Sequence, residues 1–227
     1  MKKALLSLSV LAVILAFTAC KKNNPAPANT ANVMFVNGCA GTVNVDVSVN
    51  NTKLNSASNL AFLKNSGYQS IAQGTAVPIA FALTATGTPL ISATESLTTN
   101  AHYSVFAGGL VSGTSTSLVF ATDDLTAPSS GMAKVRFINL SSDNLNTSCY
   151  VGSIKVDSNV AYKTCTPFFE VSPITAKIAM IDQVVLTNSG ELSGQQISAG
   201  KIYTFMLTGT STGSLTSVLT LTLINNN

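Results

Sequence analysis

The stretch Val33-Met34-Phe35-Val36-Asn37 decides the fold, because the chain returns to it as Val135-Arg136-Phe137-Ile138-Asn139. A second pair of segments, His102–Phe106 and Ile202–Met206, repeats at nearly the same distance of roughly 100 residues. Self-similarity at a constant spacing is typical of a duplicated structural unit. The sequence therefore predicts two copies of one module.

The repeat also predicts where the modules begin and end. The first copy covers residues 32–126 and the second covers residues 133–227. Between them, residues 127–132 read Ala-Pro-Ser-Ser-Gly-Met, and their proline and glycine mark a linker. A linker this short should not let the modules move independently over large angles.

Both modules show the period of β-strands. Val43, Val45, Val47 and Val49 alternate with other residues, which predicts a strand with one buried face. No stretch after residue 20 has convincing helical periodicity, and turn residues interrupt the chain about every ten residues. The predicted fold class is all-β, with two tandem immunoglobulin-like antiparallel β-sandwiches; a small barrel is the alternative for each module.

The charge balance argues against a nucleic-acid partner. Charged residues make up 9% of the chain, far below the usual quarter. The net charge of +3 includes four lysines that precede residue 23, so the folded part has no basic excess. Its remaining basic residues are scattered singly, without the clustering that phosphate backbones require.

The N-terminus has the pattern of a secretory leader. Lys2 and Lys3 precede an apolar run that is shorter than the roughly 20 residues needed by a membrane-spanning helix. Because Cys20 follows Thr18-Ala19 directly, the leader resembles a bacterial lipoprotein signal. The resemblance implies a signal peptide at residues 1–19 and lipidation of Cys20. An ordinary signal peptide with a chance cysteine is the alternative.

Residues 20–31 then comprise the lipidated cysteine and a flexible tether. Two prolines and no apolar periodicity predict an extended, solvated segment. Acyl chains anchor strongly, because each buried methylene contributes about 0.8 kcal/mol. We expect attachment to the cell envelope, at the outer membrane. In lipoproteins of Bacteroides-related bacteria, acidic residues after the cysteine resemble a surface-export signal; Lys21 and Lys22 stand there instead, which favours a periplasm-facing position.

The order of these parts resembles the domain-of-unknown-function family 4397. The resemblance rests on the opening strand Val135–Asn139, a valine-rich second strand, a Tyr-x-x-Ile segment leading into Gly74, and the late strand Gly200–Thr204. Modules of that family are similar to immunoglobulin-like sandwiches and occur in tandem in bacterial envelope proteins, often lipoproteins. The resemblance therefore implies an envelope role, but it carries over no functional residue.

Catalytic and metal-binding patterns are sparse. His102 is the only histidine, so it would have to supply the base of any Ser-His-Asp arrangement. We predict a non-enzymatic protein without catalytic residues, cofactor or metal, and keep a hydrolase that uses His102 as an alternative. Asp123 and Asp124 could contribute to a calcium site, but adjacent strand residues point to opposite faces. A turn or a hydrogen bond between the modules is the favoured role for this pair.

Three cysteines follow Cys20, an odd number for an oxidising compartment. Cys149 and Cys165 fall in the same module, on a strand and its next neighbour but one, so the sequence allows a disulfide between them. Closing that loop would stabilise the module by about 3 kcal/mol. Cys39 aligns with Ser141 and is expected to be a buried thiol rather than a reactive one.

Two tyrosines mark a possible ligand surface. Tyr150 and Tyr162 have no counterpart in the first module, whereas the other tyrosines recur at matched positions and should anchor the fold. Packing of loops in the second module is the alternative explanation. The sequence thus predicts a lipid-anchored cell-envelope protein with a structural, adhesive or binding role. The membrane is its expected partner through the lipid, together with an envelope protein or a glycan, as in an accessory lipoprotein of a glycan-uptake system.

Overall fold

The computed structural model describes residues 29–41, 44–111, 116–186, 189–213 and 217–227. The predicted leader at 1–19, Cys20 and the tether up to residue 28 lie outside the described residues. Within the described part the chain is all-β, as predicted, and its helical content is a 3-10 turn at Asn55–Ala57. No helix in this part is long and apolar enough to cross a membrane.

The N-terminal half consists of two four-stranded sheets packed face to face. Its strands are β1 (Thr30–Ala40), β2 (Val45–Val49), β3 (Thr52–Lys53), β4 (Asn65–Ala72), β5 (Gly74–Leu83), β6 (Pro89–Leu97), β7 (His102–Leu110) and β8 (Ser117–Thr122). The order β4-β1-β7-β8 forms the inner sheet and β3-β2-β5-β6 forms the outer sheet. Val33 and Phe35 of the inner sheet meet Val47, Ile79 and Phe81 of the outer sheet in a common core. The alternating valines of β2 point into this core, as their spacing predicts.

The C-terminal half repeats the arrangement. Its strands are β9 (Ala133–Asn139), β10 (Asn146–Val151), β11 (Ile154–Ala161), β12 (Thr164–Cys165), β13 (Phe169–Val171), β14 (Ile174–Asp182), β15 (Ser189–Ile197), β16 (Ile202–Thr208) and β17 (Thr220–Asn225). The inner sheet has the order β12-β9-β16-β17, with β13 also paired to β9, and the outer sheet has the order β11-β10-β14-β15. Phe137 and Phe205 stack in the core between them, at a centroid distance of 5.5 Å.

One pairing in each half differs from the fully antiparallel sheets that we expected. Strand β1 pairs with β7 in parallel, and β9 pairs with β16 in the same way. Parallel neighbours cannot be joined by a hairpin, so the whole outer sheet of each half lies between them in the chain. The count of two immunoglobulin-like units and their predicted boundaries stay predictions.

The two inner sheets pack against each other. Met34, Val36 and Phe106 of the N-terminal half contact Leu140 and Met206 of the C-terminal half in a third apolar cluster. The sheets therefore stack in four layers, outer, inner, inner and outer. Strand β9 is buried at every position, because both of its faces are covered. The sequence analysis did not predict this apolar interface.

The inner strands also give the molecule a direction. Arg136 near the start of β9 bonds to Ser104 near the start of β7, whereas Thr208 at the end of β16 bonds to Gly38 near the end of β1. Strands β1, β7, β9 and β16 therefore run the same way. We call the end where they start the base and the opposite end the distal end. Asn29, which precedes β1, lies at the base.

Candidate functional site

A shallow concavity of about 450 Å³ lies on the exposed face of the C-terminal outer sheet. Alternation along β10 places Ser148 and Tyr150 on this face while Cys149 and Val151 point into the core. The lining residues come from β10, β11, β14 and the turn after β14; they are Ser148, Tyr150, Lys155, Ser158, Ile181, Asp182, Gln183 and Leu186.

Aromatic and polar groups are combined in the concavity. The Lys155 ammonium lies 5.8 Å from the centre of the Tyr150 ring, a cation–π contact. Lys155 forms no ion pair with any described residue. The Gln183 amide donates to the Ser148 hydroxyl over 3.3 Å, which orders the polar floor. Of the two residues predicted to form a ligand surface, Tyr150 therefore lies in this concavity.

The turn after β14 forms an apolar tip beside the concavity, made of residues Val184, Val185 and Leu186. Their exposed fractions are 87%, 46% and 73%. The turn is held in shape by Asp182, whose Oδ1 accepts hydrogen bonds from the backbone N–H groups of Val184 (2.8 Å) and Val185 (2.7 Å). The apolar side chains are therefore presented by an ordered turn and not by an unsupported loop.

The tip lies at the distal end of the molecule. The side-chain amide of Asn139, at the end of β9, donates to the carbonyls of Asn144 (2.7 Å) and Val160 (3.2 Å). The start of β10 and the end of β11 are thereby located at the distal end. Asp182 pairs with Thr147 of β10, so β14 also finishes there. The tip consequently lies away from the base, and the concavity extends from beside the tip along the exposed face of the outer sheet.

Tyr162 is not part of the concavity. It follows β11, and its backbone N–H donates to the carbonyl of Leu145 over 2.9 Å. Tyr150 pairs with Lys155 near the opposite end of the same hairpin. At about 3.3 Å per strand residue, the two tyrosines are roughly 15 Å apart along the sheet. Tyr162 lies at the distal end instead, near the exposed Leu145.

His102 does not assemble a catalytic arrangement. Its ring packs edge-on against Tyr68, with centroids 5.4 Å apart. The nearby Ser104 hydroxyl is fully buried and donates to Asp123 Oδ2 over 2.6 Å, while it accepts from Arg136. A serine enclosed in this way is inaccessible to a substrate. The geometry therefore does not favour the hydrolase alternative.

Sequence reasoning did not take up one further serine pattern. Gly209-Thr210-Ser211-Thr212-Gly213 matches the form Gly-x-Ser-x-Gly. The segment lies between β16 and β17 at the distal end, whereas His102 begins β7 at the base. The Ser211 hydroxyl donates to Asp143 Oδ2 over 2.7 Å, so it stabilises a loop. The strand-to-helix context of a nucleophile turn is absent from this part of the chain.

Asp123 forms a buried ion pair between the two halves. Its Oδ1 lies 2.7 Å from Arg136 Nη1, and neither side chain is more than 1% exposed. Oδ1 accepts no hydrogen bond, so its contact with Arg136 is an ion pair without hydrogen-bond geometry. The Arg136 guanidinium also stacks on the ring of Phe168 at 4.4 Å. A turn or a hydrogen bond between the modules was predicted for Asp123 and Asp124; Asp123 instead forms an ion pair between the two halves.

Other groups complete this network. The Tyr68 hydroxyl donates to Asp123 Oδ2 and accepts from Asn226 over 3.2 Å. Burial, followed by the charge of Asp123, raises the pKa of Tyr68. Arg136 Nε donates to Thr204 over 2.8 Å. The interface therefore holds its charges with several hydrogen bonds and two aromatic rings, those of Phe106 and Phe168, as a buried charge requires.

Asp124 has a different role at the surface. Its carboxylate accepts hydrogen bonds from Thr126 and forms an ion pair with Lys134 at 2.9 Å. The hydrogen bonds from Thr126 and then Lys134 lower the pKa of Asp124 to about 2. Within the described residues, no group of acidic, histidine or cysteine side chains is arranged to hold a metal ion.

The predicted disulfide is wrong for this structure. Cys149 and Cys165 are free thiols. Cys149 packs in the core between the C-terminal sheets, whereas Cys165 packs against the cluster between the two halves, so the inner sheet separates them. Burial raises the pKa of Cys149 to about 12 and that of Cys165 to about 11. Cys39 is a buried thiol, as predicted, with a pKa raised by burial to about 12.

The family model for the domain of unknown function DUF4397 matches residues 31–147, just over half of the chain. The chain belongs to the DUF4397 family. The match covers the N-terminal half, crosses the 127–132 linker and ends in β10. It does not coincide with one predicted module, and two tandem DUF4397 copies remain a prediction. No curated protein is detectably similar in sequence.

Several solved structures share weak likeness with this DUF4397 chain. A candidate cell adhesion protein of Bacteroides uniformis is 10% identical over 87% of this chain and 99% of its own, with a TM-score of 0.26. A family 26 carbohydrate-binding module from Eubacterium rectale Amy13K, in complex with maltoheptaose, is 9% identical over 87% and 97%, with a TM-score of 0.27. A candidate cell adhesion protein of Bacteroides fragilis is 11% identical over 88% and 98%, with a TM-score of 0.21. Likeness this low carries no argument about function.

Proposed function

We propose that this protein is a lipid-anchored component of the cell envelope that binds a partner through the distal end of its C-terminal half. One observation carries the proposal. All large apolar side chains that are exposed in the described residues belong to the C-terminal half; they are Leu145, Ile154, Ile174, Val184, Val185, Leu186 and Val218. Five of these residues, Leu145, Val184, Val185, Leu186 and Val218, lie at the distal end, whereas Ile154 and Ile174 lie towards the base. Exposed apolar residues grouped in this way are typical of an interaction surface.

The direction of the molecule supports an adhesive or binding role. Cys20 precedes Asn29, which lies at the base, while Val184 and Val185 lie at the distal end. An anchor at Cys20 would hold the apolar tip away from the membrane, towards a partner. Because Lys21 and Lys22 follow the cysteine where acidic residues resemble an export signal, we propose an outer-membrane position that faces the periplasm. The proposed role is non-catalytic, since Ser104 beside His102 is enclosed.

The tip can be tested with a double variant, Val184→Ser/Val185→Ser. Both side chains are exposed, so the variant should fold normally, but it removes the apolar contact. We expect binding of the mature chain, made soluble by Cys20→Ala, to isolated envelopes to weaken by about tenfold. The matched control is Thr86→Ser/Thr88→Ser in the corresponding turn of the N-terminal half. Equal binding by the two double variants would contradict the proposal.

The anchor can be tested with Cys20→Ala in the full-length chain. Loss of the acylated residue should move the protein from the detergent phase to the aqueous phase on partitioning, because the acyl chains supply nearly all of the membrane affinity. The control is Cys39→Ala, which removes a buried thiol and should leave partitioning unchanged. Detergent-phase recovery of Cys20→Ala would show that the lipid anchor does not exist.

A further inference from the structure

We propose that the concavity around Tyr150 binds a short neutral oligosaccharide. The inference deepens the proposed function, on which it rests for the assumption that this face meets an envelope partner. A volume of about 450 Å³ falls within the range of small-ligand sites, roughly 300–1,000 Å³. Its shallow, open form suits a chain of sugar rings that extends beyond the site at both ends.

The walls of the concavity supply apolar contact. Tyr150 is half-buried, so its ring is fixed by the sheet while part of its surface faces the cavity. Ile181 and Leu186 line the same space. The C–H faces of a sugar ring are apolar and pack on such surfaces. A tyrosine gives this contact at a low cost in conformational entropy, because it has few rotatable bonds.

The floor of the concavity supplies both hydrogen-bond donors and hydrogen-bond acceptors. Ser148 and Ser158 carry hydroxyl groups that donate and accept, and the Gln183 amide does both through its two atoms. Sugar hydroxyl groups also donate and accept, so they match this mixture. Lys155 adds an ammonium that donates to a ligand oxygen.

The charge of the site favours a neutral ligand. Lys155 and Asp182 are the charged residues among those lining the concavity, and their charges are opposite. Asp182 is 5% exposed and is engaged by two backbone N–H groups of the tip. A polyanion would meet this carboxylate, and a cation would meet Lys155. A ligand without charge avoids both costs.

The N-terminal half has an equivalent hairpin, and its side chains can be compared with those that line the concavity. Tyr150 pairs with Lys155 as Ser48 pairs with Lys53, so the two lysines are equivalent. Lys53 forms an ion pair of 2.6 Å with Asp46, whereas Lys155 contacts the Tyr150 ring. The C-terminal half therefore has an aromatic ring where the N-terminal half has a small hydroxyl.

A second difference between the halves is that Ser148 stands where the N-terminal half has Asp46, a residue that binds the neighbouring polar groups. Ser148 stands opposite Ile181 as Asp46 stands opposite Ala82. Asp46 accepts hydrogen bonds from the Asn59 backbone and the Thr84 hydroxyl, at 2.8 and 3.0 Å. The N-terminal face thus satisfies its own polar groups. At the equivalent C-terminal position a serine leaves donors and acceptors available to a ligand.

Calorimetric titration of the mature Cys20→Ala chain tests the site. The probes are four neutral oligosaccharides, maltoheptaose, cellohexaose, laminarihexaose and mannohexaose, with trigalacturonate as the acidic probe. We expect at least one neutral probe to bind with a Kd of about 1 mM or below, and Tyr150→Ala to weaken it by about tenfold or more. Ser48→Ala is the matched control and should bind as the parent chain does.

Three outcomes would overturn the inference. They are binding of no neutral probe, binding of the acidic probe alone, and equal binding by Tyr150→Ala and Ser48→Ala. Tyr150→Phe guards against a folding defect, because it keeps the ring and should keep most of the affinity. The Val184→Ser/Val185→Ser variant separates this inference from the proposed function, since neither residue lines the concavity. The double variant could lose envelope binding while the mature Cys20→Ala chain binds no neutral oligosaccharide. In that case the proposed function would stand and this inference would be refuted.

Discussion

The hairpins β2–β3 and β10–β11 occupy equivalent positions in the two halves but present opposite surfaces. In the first, Lys53 and Asp46 neutralise each other, and Thr84 completes the network. In the second, Lys155 forms a cation–π contact with Tyr150 and has no carboxylate partner among the described residues. The pairing of the lysines is the same, since Ser48 faces Lys53 and Tyr150 faces Lys155, but β3 has two residues whereas β11 has eight. Under the proposed saccharide site, the polar groups of the C-terminal hairpin are available to a ligand, whereas those of the N-terminal hairpin bind each other.

The turns that follow show the same contrast. Between β5 and β6, Thr86 and Thr88 hydrogen-bond to each other through their hydroxyls, at 2.7 Å. The turn after β14 carries Val184, Val185 and Leu186 in their place, all exposed. The interface between the halves is also asymmetric, since Arg136 stands where the repeat has Met34. These differences can be tested one at a time.

The largest effect is expected from Arg136→Met, which gives the C-terminal half the residue of its repeat partner. Removing one member of a buried ion pair leaves Asp123 without its counter-charge and should lower the free energy of unfolding by about 3–5 kcal/mol. Urea unfolding measures this value. The double variant Arg136→Met/Asp123→Asn should recover part of the loss, because no uncompensated charge remains. A loss below about 1 kcal/mol for the single variant would mean that the pair is not buried as described.

A smaller effect is expected from Gly108→Ala at the contact between the inner sheets. A Cβ atom at Gly108 would lie 2.8 Å from Leu140 Cβ, too close for the sheets to keep their separation. The repeat carries Thr208 at the corresponding position, so only the N-terminal strand needs the glycine. Thermal unfolding should report a loss of about 1–3 kcal/mol. Unchanged stability would show that the sheets can move apart without cost.

The smallest effect separates the two lysines. Lys53→Met removes a partly exposed ion pair and should cost up to about 1 kcal/mol. Lys155→Met removes a cation–π contact at an exposed site, and we expect a smaller change in the free energy of unfolding. It should instead weaken saccharide binding, which Lys53→Met should leave intact. Equal saccharide binding by the two variants would show that the two hairpins do not differ in function.

The sequence predicted strands correctly where a single buried face accounts for the alternation of apolar residues. Val45, Val47 and Val49 predicted β2 because each valine enters a single core. That pattern does not describe β1, where Met34 and Val36 are apolar on the second face as well. Apolar residues on both faces are typical of a strand covered on both sides, and that signal would have indicated the interface.

The candidate site was found only in part, because it depends on pairing between strands. Tyr150 could be singled out by its lack of a counterpart, but the same criterion also chose Tyr162, which lies elsewhere. The exchange of Asp46 for Ser148 becomes visible only once the register of both hairpins is known. The disulfide prediction failed for a related reason. Spacing could place Cys165 on a neighbouring strand but could not show that it points away from Cys149.

The common direction of the inner strands has a mechanical consequence. If the base is anchored and the distal tip is bound, as proposed, a load between them would act along β1 and β7, which pair in register from Asn32 to Ala40. Such a pull shears the ladder, so its hydrogen bonds share the tension instead of opening in sequence. Strand β9 and its partner β16 are loaded in the same way. Under the proposed anchoring, the parallel inner strands would therefore resist stretching between the base and the distal end.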